Sequence, residues 1–401
     1  LIKWAEQGRL HTKYVDCTTT ILTTSDVATF TVNDALNPGT GGIAIRIGQT
    51  VMLSANVGTV THKAIVTGVD YTAGTFTVAF YEADGITNAA TTNKYTVFIY
   101  GSEFKKGTDG MQNSLEADDS FFENSPIIIK DRYAVSGSDM AQIGWVEVTT
   151  ENGASGYLWY MKSEHETRLR FEDYLETAMV EAVPAEANSG AIAATGDVGN
   201  KGSEGIFHVV GLRGNVWSGG NPTTLADFDA MIERLDKQGA IQENVIFLNR
   251  QFGFDIDDML AAQNSYGAGG TSYGLFDNDE EMALNLGFKG FTRGYDFYKT
   301  DWKYLNDPTM RGGLNAGKIS GLLVPAGSTT VYDQILGKNA KRPFLHVRYR
   351  ASETEDRRYK TWITGSAGGA ATSSLDAMEV NYLSERAVCT LGANNFFLFE
   401  G

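Results

Sequence analysis

The sequence predicts an α+β fold on three observations. Over residues 26–100, apolar and polar side chains alternate in short runs such as Ile43-Ala44-Ile45-Arg46-Ile47 and Thr75-Phe76-Thr77-Val78-Ala79-Phe80, the period-2 pattern of half-buried strands. From about 157 to 183 the apolar spacing becomes helical. Residues 188–340 then run helix, strand, helix, which is the order of a mixed α/β domain.

The chain has 401 residues, 33 basic against 49 acidic side chains, and a formal net charge of −16. That length suggests two or three domains at roughly 100–200 residues each. A hydrophobic fraction of 42% and an aromatic fraction of 11% supply enough apolar surface for packed cores, so general disorder is excluded. The acid excess argues against a duplex-DNA binder, because affinity for phosphates comes from many Lys and Arg side chains releasing counterions. Cys17 and Cys389 are too few for a disulfide framework or a four-cysteine zinc site, and a reducing compartment is expected. No stretch approaches the roughly 18 uncharged apolar residues that cross a bilayer. Leu1-Ile2-Lys3-Trp4 does not read as a signal peptide. The expectation is a soluble, intracellular protein with no membrane partner.

In chain order, 1–25 reads as an N-terminal arm. Residues 26–100 contain 14 Thr and 9 Val, types favoured on pleated surfaces. With turn chemistry at Asn37-Pro38-Gly39, Ala73-Gly74 and Asp84-Gly85, they read as an inserted all-β domain built of hairpins or a small barrel. Residues 101–150 read as a connecting arm and an extended β loop. In that loop, at about 121–150, Pro126-Ile127-Ile128-Ile129-Lys130 and Gly144-Trp145-Val146-Glu147-Val148 flank a turn at Val135-Ser136-Gly137-Ser138.

The long helix falls within 151–187. Ser163 and Glu166 form a capping-box pattern, and Leu169, Tyr174, Leu175, Ala178 and Met179 recur at helical spacings. Glu164 with Arg168 and Glu166 with Arg170 are i,i+4 pairs in the favourable acid-first order. Pro184 should stop the helix. In the α/β domain at 188–340, Thr224-Leu225-Ala226-Asp227 opens a helix that Gly239 should cap. Val245-Ile246-Phe247-Leu248 is a buried strand, and Asp255 to Gln263 a short helix. Residues 341–401 return to strands. Phe344, His346, Arg348 and Arg350 alternate with Leu345, Val347 and Tyr349, while Glu379-Val380-Asn381-Tyr382 and Phe396-Phe397-Leu398-Phe399 are expected to close the sheet.

Little catalytic chemistry is visible. Gly270-Thr271-Ser272-Tyr273-Gly274 has the letters of a hydrolase nucleophile elbow, but it follows a Gly-rich loop where that elbow needs a buried strand. His11, His62, His165, His208 and His346 lack the close spacing of zinc helices. Asp255-Ile256-Asp257-Asp258 and Asp277-Asn278-Asp279-Glu280-Glu281 could bind a hard cation, but the second lacks the central Gly and terminal Glu of a calcium loop, and both read as helix-start acids that favour the macrodipole. No phosphate loop or dinucleotide fingerprint is present. No catalytic, cofactor-binding or metal-ligating residue is assigned, and no cofactor is expected. One stretch departs from the acidic average. Lys338, Lys341, Arg342, Arg348, Arg350, Arg357, Arg358 and Lys360 outnumber Glu353, Glu355 and Asp356, which could let this stretch meet an acidic patch on a neighbouring copy.

The order of these elements resembles one family. Phe122-Glu123-Asn124-Ser125-Pro126-Ile127-Ile128-Ile129, then Tyr133-Ala134-Val135-Ser136-Gly137-Ser138, then a long charged helix, is similar to the major capsid proteins of tailed bacteriophages, which have the Hong Kong 97-like capsid fold. Asn244-Val245-Ile246-Phe247-Leu248-Asn249 resembles the axial-domain strand of that family, and Gly392-Ala393-Asn394-Asn395-Phe396 its terminal strands. The resemblance covers about 100–401. It implies a spine helix at about 157–183, peripheral and axial domains, and an extended loop that reaches a neighbour.

The resemblance also implies a structural protein, not an enzyme, that self-assembles as pentamers and hexamers into an icosahedral shell around phage DNA. The DNA would be touched by non-specific contact at most. Scaffold, portal and decoration proteins are the implied partners, and the implied location is a virion capsid assembled in the host bacterial cytoplasm. Three other readings stand beside it: an encapsulin-like nanocompartment shell, a β-rich phage decoration, tail or adhesin protein, and a hydrolase using Ser272. The family does not fix the role of the inserted β domain.

Overall fold

The computed structural model describes residues 1–7, 13–21, 26–33, 43–56, 61–83, 85–86, 94–113, 119–141, 148–149, 155–156, 159–187, 189–193, 200–264, 289–333, 338–369 and 371–401. The chain divides into two units, one of Ala5–Ser120 and one of Leu1–Trp4 with Phe121–Gly401. After β1 (Ile2–Gln7), the smaller unit contains β2 (Lys13–Ile21), β3 (Val27–Thr31), β4 (Gln49–Ala55), β5 (Thr61–Asp70), β6 (Thr75–Phe80) and β7 (Lys94–Ser102). These six close into an antiparallel barrel in the order β2-β3-β6-β5-β4-β7.

The alternation seen in sequence is the physical cause of this barrel. Phe30, Val51, Leu53, Val66, Phe76, Val78 and Val97 point inward and are almost fully buried. Phe30 stacks on Phe76 at 5.4 Å and meets Tyr95 edge-on at 5.6 Å. Closure matters because it leaves none of the unpaired strand edges that invite aggregation. The barrel also takes in residues expected to form an arm. Tyr14 and Cys17 on β2 are buried in its core, so the strand that completes the circle comes from upstream of the Thr- and Val-rich run.

In the larger unit, β8 (Asp119–Asn124), which pairs with β1, is followed by β9 (Ile127–Ser136) and a helical turn, α1 (Gly137–Met140). Next come the short strands β10 (Val148–Thr149) and β11 (Ser155–Gly156), then α2 (Trp159–Glu181) and α3 (Gly190–Ala193). The expected two-stranded excursion at about 121–150 is corrected here. β9 pairs along its length with β21 (Ala377–Thr390), from Ile127 opposite Arg386 to Ser136 opposite Ala377. Residues 144–147 lie outside the described residues, and Val148 pairs with Gly156. The reason is burial: Ile129 and Val135 share a core with Phe171, Leu175, Met378, Val380 and Tyr382, which a free loop could not supply.

Helix α2 has 23 residues, about 35 Å at 1.5 Å per residue. It runs straight through Ser163, whose carbonyl accepts from Thr167 Oγ1 at 3.0 Å, so Ser163 is an interior residue and not a cap. Its buried seam is Thr167, Phe171, Leu175 and Met179, spaced by four, while Leu169 and Tyr174 lie exposed off that seam. The expected acid-first pairs are also replaced. Lys162 meets Glu166, Arg168 meets Glu172, and Arg170 reaches across to Asp131 on β9. Beyond the helix end, Gly205 donates its N–H to the Ala182 carbonyl at 2.7 Å. A Cβ on Gly205 would fall 2.7 Å from Ala182 N, so only glycine permits this approach.

The remaining elements are α4 (Ile206–Arg213), β12 (Asn215–Trp217), α5 (Leu225–Gln238), β13 (Glu243–Leu248), α6 (Arg250–Asn264), β14 (Gly290–Thr292), β15 (Asp296–Asp301), β16 (Ile319–Pro325), β17 (Ser328–Asp333), β18 (Lys338–Pro343), β19 (Leu345–Tyr349), β20 (Lys360–Gly365) and β22 (Phe397–Glu400). A six-stranded mixed sheet has the order β12-β22-β16-β13-β15-β14, with β12 parallel to β22 and β13 parallel to β15. Ile246, Leu248, Leu323, Phe397 and Phe399 face α5 and α6, while Leu322 and Leu398 face α2 and α4. Covered on both faces, these strands read as nearly continuous apolar runs. Helix α5 carries the expected ends. Thr224 and Asp227 form a reciprocal capping box, and Gly239 is left-handed at φ 66°. Phe396–Phe399 therefore closes this sheet, and Glu379–Tyr382 belongs to the other, which contains β9, β19, β20 and β21.

Asn124, at the end of β8, joins three segments. Its amide donates to the carbonyls of Glu204 (3.0 Å) and Val388 (2.8 Å), and its oxygen accepts from Ser203 Oγ (3.1 Å) and Glu204 N (2.9 Å). Both donors and the acceptor are used at a site 3% exposed. Replacing Asn124 by Leu strands four buried polar groups at once. The larger unit should lose about 2–3 kcal/mol of stability, measured as an earlier urea transition followed by tryptophan fluorescence.

Candidate assembly surface

Helix α2 lies on the sheet of β9, β21 and β20 through a ring cluster. Phe171 stacks on Tyr382 at 5.5 Å and meets Tyr359 edge-on at 5.6 Å. The Tyr382 hydroxyl donates to Glu164, and burial together with that carboxylate pushes the phenol well above its ordinary value. Glu164 is thus engaged with the sheet, which explains why it makes no helix pair with Arg168. The same layer keeps large apolar groups in solvent. Leu169 and Tyr174 on α2, Ile128 on β9, and Trp362 and Ile363 on β20 are between 37% and 50% exposed.

The edge of this sheet holds a charge cluster. β19 pairs with β21 up to Tyr349 opposite Arg386, and β20 resumes with Lys360 opposite Leu383. Between them Arg350 N donates to the Glu385 carbonyl (3.1 Å), and Glu385 N donates to the Arg357 carbonyl (2.9 Å). Residues 351–356 therefore leave the ladder and return to the same point, closed by a bridge between Ala351 and Asp356. The Glu385 side chain, 6% exposed, accepts from Arg350 Nη1 at 3.1 Å and Arg357 Nε at 2.6 Å, holding both limbs. Glu355 accepts from Lys360 (2.8 Å) and Arg357 (3.3 Å), and the Lys360 ammonium holds its carboxyl below the usual range.

Part of the basic stretch at 338–360 is matched within the copy, while Lys341, Arg350 and Arg358 remain exposed. Arg350, Arg357 and Lys360 are matched within the copy, and the Arg358 guanidinium covers Tyr349 at 5.2 Å. Arg348 Nε donates to His346 Nε2 at 3.2 Å. Also outward are the excursion itself, with Glu353 at its tip, and Lys341 on β18. Glu385 escaped the sequence reading because it lies 28 and 35 residues from its arginines. β21 carries two acids, Glu379 and Glu385, and residue order alone does not show that Glu385 is the buried one.

A cleft of about 520 Å³ lies between α2 and the segment 304–314. On its floor Glu181 accepts from the Tyr304 hydroxyl (2.8 Å) and from Arg311, whose guanidinium covers Phe207 at 5.1 Å. Asp173, Tyr174, Met310 and Leu314 form its rim. These groups offer hydrogen bonds and apolar contact.

The residues singled out for chemistry do not converge. Ser272 with its glycines, Asp277–Glu281 and His11 lie outside the described residues. Asp255–Asp258 sits inside α6 and not at its start. Asp255 accepts from Asn221 and Gln251, and Asp257 pairs with Lys299. His62 faces Glu82, His165 faces Arg168, and His346 faces the Pro343 carbonyl. Among the described residues, no three His, Cys, Asp or Glu side chains gather as a metal site. Cys17 and Cys389 are buried in separate cores, and burial pushes the Cys389 thiol up to about 11. No described helix is long and apolar enough to cross a membrane.

No family model matches the sequence, and no curated protein matches it. Solved structures from phages match over most of the chain. The asymmetric unit of the mature capsid of bacteriophage PhiM1 is 9% identical, covers 90% of this chain and 83% of its own, and has a TM-score of 0.37. Microbacterium phage Oxtober96 is 11% identical, with coverage of 90% and 88% and a TM-score of 0.36. The capsid of cyanophage P-SCSP1u is 8% identical, with coverage of 90% and 86% and a TM-score of 0.33. Likeness at this level assigns no residue of this chain a role.

Two outcomes follow from the charge cluster. Glu385→Gln leaves Arg357, which is part-exposed, with Glu355 as its remaining carboxylate and should cost about 2 kcal/mol, read as a lower denaturation midpoint and faster trypsin cleavage after Arg350, Arg357 and Arg358. Arg350→Ala, which removes a largely exposed partner, should cost less than about 1 kcal/mol. The His346 imidazole is held below 6.5 by burial, with Arg348 and Arg342 adding repulsion. The unfolded chain therefore takes up the proton first, so the His346 contribution is full above pH 6.5 and is lost as pH falls through the depressed folded value. His346→Phe should flatten the stability profile in that window, measured by melting at successive pH values.

Proposed function

We propose that the chain is a major capsid protein whose copies assemble into an icosahedral shell enclosing tailed-bacteriophage DNA. The observation that carries this reading is the state of the α2 layer. Its internal charges are matched within one copy, while Ile128, Leu169, Tyr174, Trp362 and Ile363 stay in solvent on both helix and sheet. Surface of that kind suits contacts between copies. In a closed shell each contact can be weak, because symmetry repeats it many times.

Within this reading α2 is a rigid spine, the layer of α2 with β9, β20 and β21 a peripheral domain, and the six-stranded sheet with α5 and α6 an axial domain. Pentamers and hexamers of this chain form the shell, with scaffold, portal and decoration proteins as partners and the host bacterial cytoplasm as the place of assembly. The net charge of −16 fits DNA held by confinement with non-specific contact at most. A β-rich decoration, tail or adhesin role would use the barrel alone and leaves α2 and the mixed sheet without a purpose.

Electron microscopy of the purified chain tests the reading. Closed particles are the expected outcome, alone or with scaffold protein; a chain that stays monomeric at high concentration with scaffold present overturns it.

A further inference from the structure

The barrel unit has an outer face that the shell reading does not use. On β7, Phe98 and Tyr100 point outward and are 39% and 47% exposed, and Tyr81, just after β6, is 51% exposed. Met52 on the adjacent β4 lies directly opposite both Phe98 and Lys63, so Phe98, Met52 and Lys63 form one row across β7, β4 and β5. Lys63 Nζ lies 5.9 Å from the Tyr100 ring, which places that ring over the row. The Tyr81 hydroxyl donates to Glu103, and the Tyr81 N–H donates to the Lys63 carbonyl, which brings Tyr81 and Glu103 to the same face. Phe104 lies over Gly48, where a Cβ would fall 2.7 Å from the Phe104 ring, and extends the apolar area.

Two charges on this face have no opposite partner within the copy. Lys63 is engaged with a ring and with no carboxylate, and Glu103 with a phenol and with no cation, among the described residues. An aromatic platform for nucleic-acid bases would sit in a basic groove, whereas here the rings share their face with the carboxylate of Glu103. A face with tyrosines that carries the cation of Lys63 and the anion of Glu103, each without an opposite charge among the described residues of its own copy, is complementary to itself under a two-fold axis that places Lys63 of each copy against Glu103 of the other. We propose that this face of β4, β5 and β7 is an isologous contact through which the barrels of two copies pair.

The inference stands on the barrel alone and does not depend on shell formation. It is read on soluble full-length chain, below the concentration at which larger particles form, by sedimentation velocity. Unsubstituted chain should show a concentration-dependent dimer. Lys63→Glu and Glu103→Lys should each weaken it by at least about tenfold, because each sets like charges against each other at both halves of the contact. An equimolar mixture of the two variants should restore the dimer, since both halves are then complementary. That rescue in trans cannot come from an effect on folding within one chain. A monomer at every concentration, single variants that pair as well as the parent, or a mixture no better than its components would each overturn the proposal. If E103K loses its melting transition, Phe98→Asp takes its place; unchanged pairing in a folded F98D chain would be equally decisive against it.

Discussion

A carboxylate buried in the middle of a strand costs several kcal/mol unless counter-charges come with it, and in the larger unit that requirement organises one edge of the sheet. Glu385 keeps its place on β21 chiefly through Arg357, with the largely exposed Arg350 adding less, and those two residues mark where the chain leaves and re-enters the ladder. The excursion at 351–356 is therefore not a loop that happens to be long. Its two ends are fixed to one residue by backbone and side chain together, so its tip is held without a hydrophobic core of its own.

β21 extends that constraint further. Met378, Val380 and Tyr382 pack under α2, Val388 joins the core between α2, α4 and the mixed sheet, and Cys389 and Leu391 pack with Trp4. One strand thus contributes to three clusters. A register slip of one residue would turn every one of those side chains to the wrong face, and Glu385 opposes such a slip because its carboxylate would move away from both guanidiniums. Asn124, which holds the Val388 carbonyl, fixes the same strand from the β8 side.

Local pattern made part of this legible in the sequence. The barrel alternation, the capping box at Thr224 and Asp227, the left-handed Gly239 and the buried strand at Val245–Leu248 all depend on near neighbours, and all appear where residue order places them. What was misread depends on distant partners. Glu164 looked like a helix-pair acid because Arg168 is four residues away, yet it serves Tyr382, more than two hundred residues downstream. Arg170 likewise belongs to Asp131, and the run Ile127–Lys130 pairs with β21 and not with the strand-like residues that follow it. Glu385, which matches two arginines of the basic stretch at 338–360, lies outside the window in which the charge of that stretch is counted.

The pattern of satisfied and unsatisfied groups also limits what contacts between copies can be. Where charges in the α2 layer are matched internally, as at Glu385, Asp131 and Glu181, they offer little to a neighbour. Exposed ion pairs add little in any case. Association through that layer would therefore rest on dispersed apolar side chains, each burying a modest area, which favours contacts weak enough to dissociate and correct themselves before a closed symmetry makes them collectively stable. The barrel face differs, because its lysine and glutamate are left for a partner to complete. Charge there would set orientation more than strength. With both proposed contacts, adhesion would fall to one unit and alignment to the other.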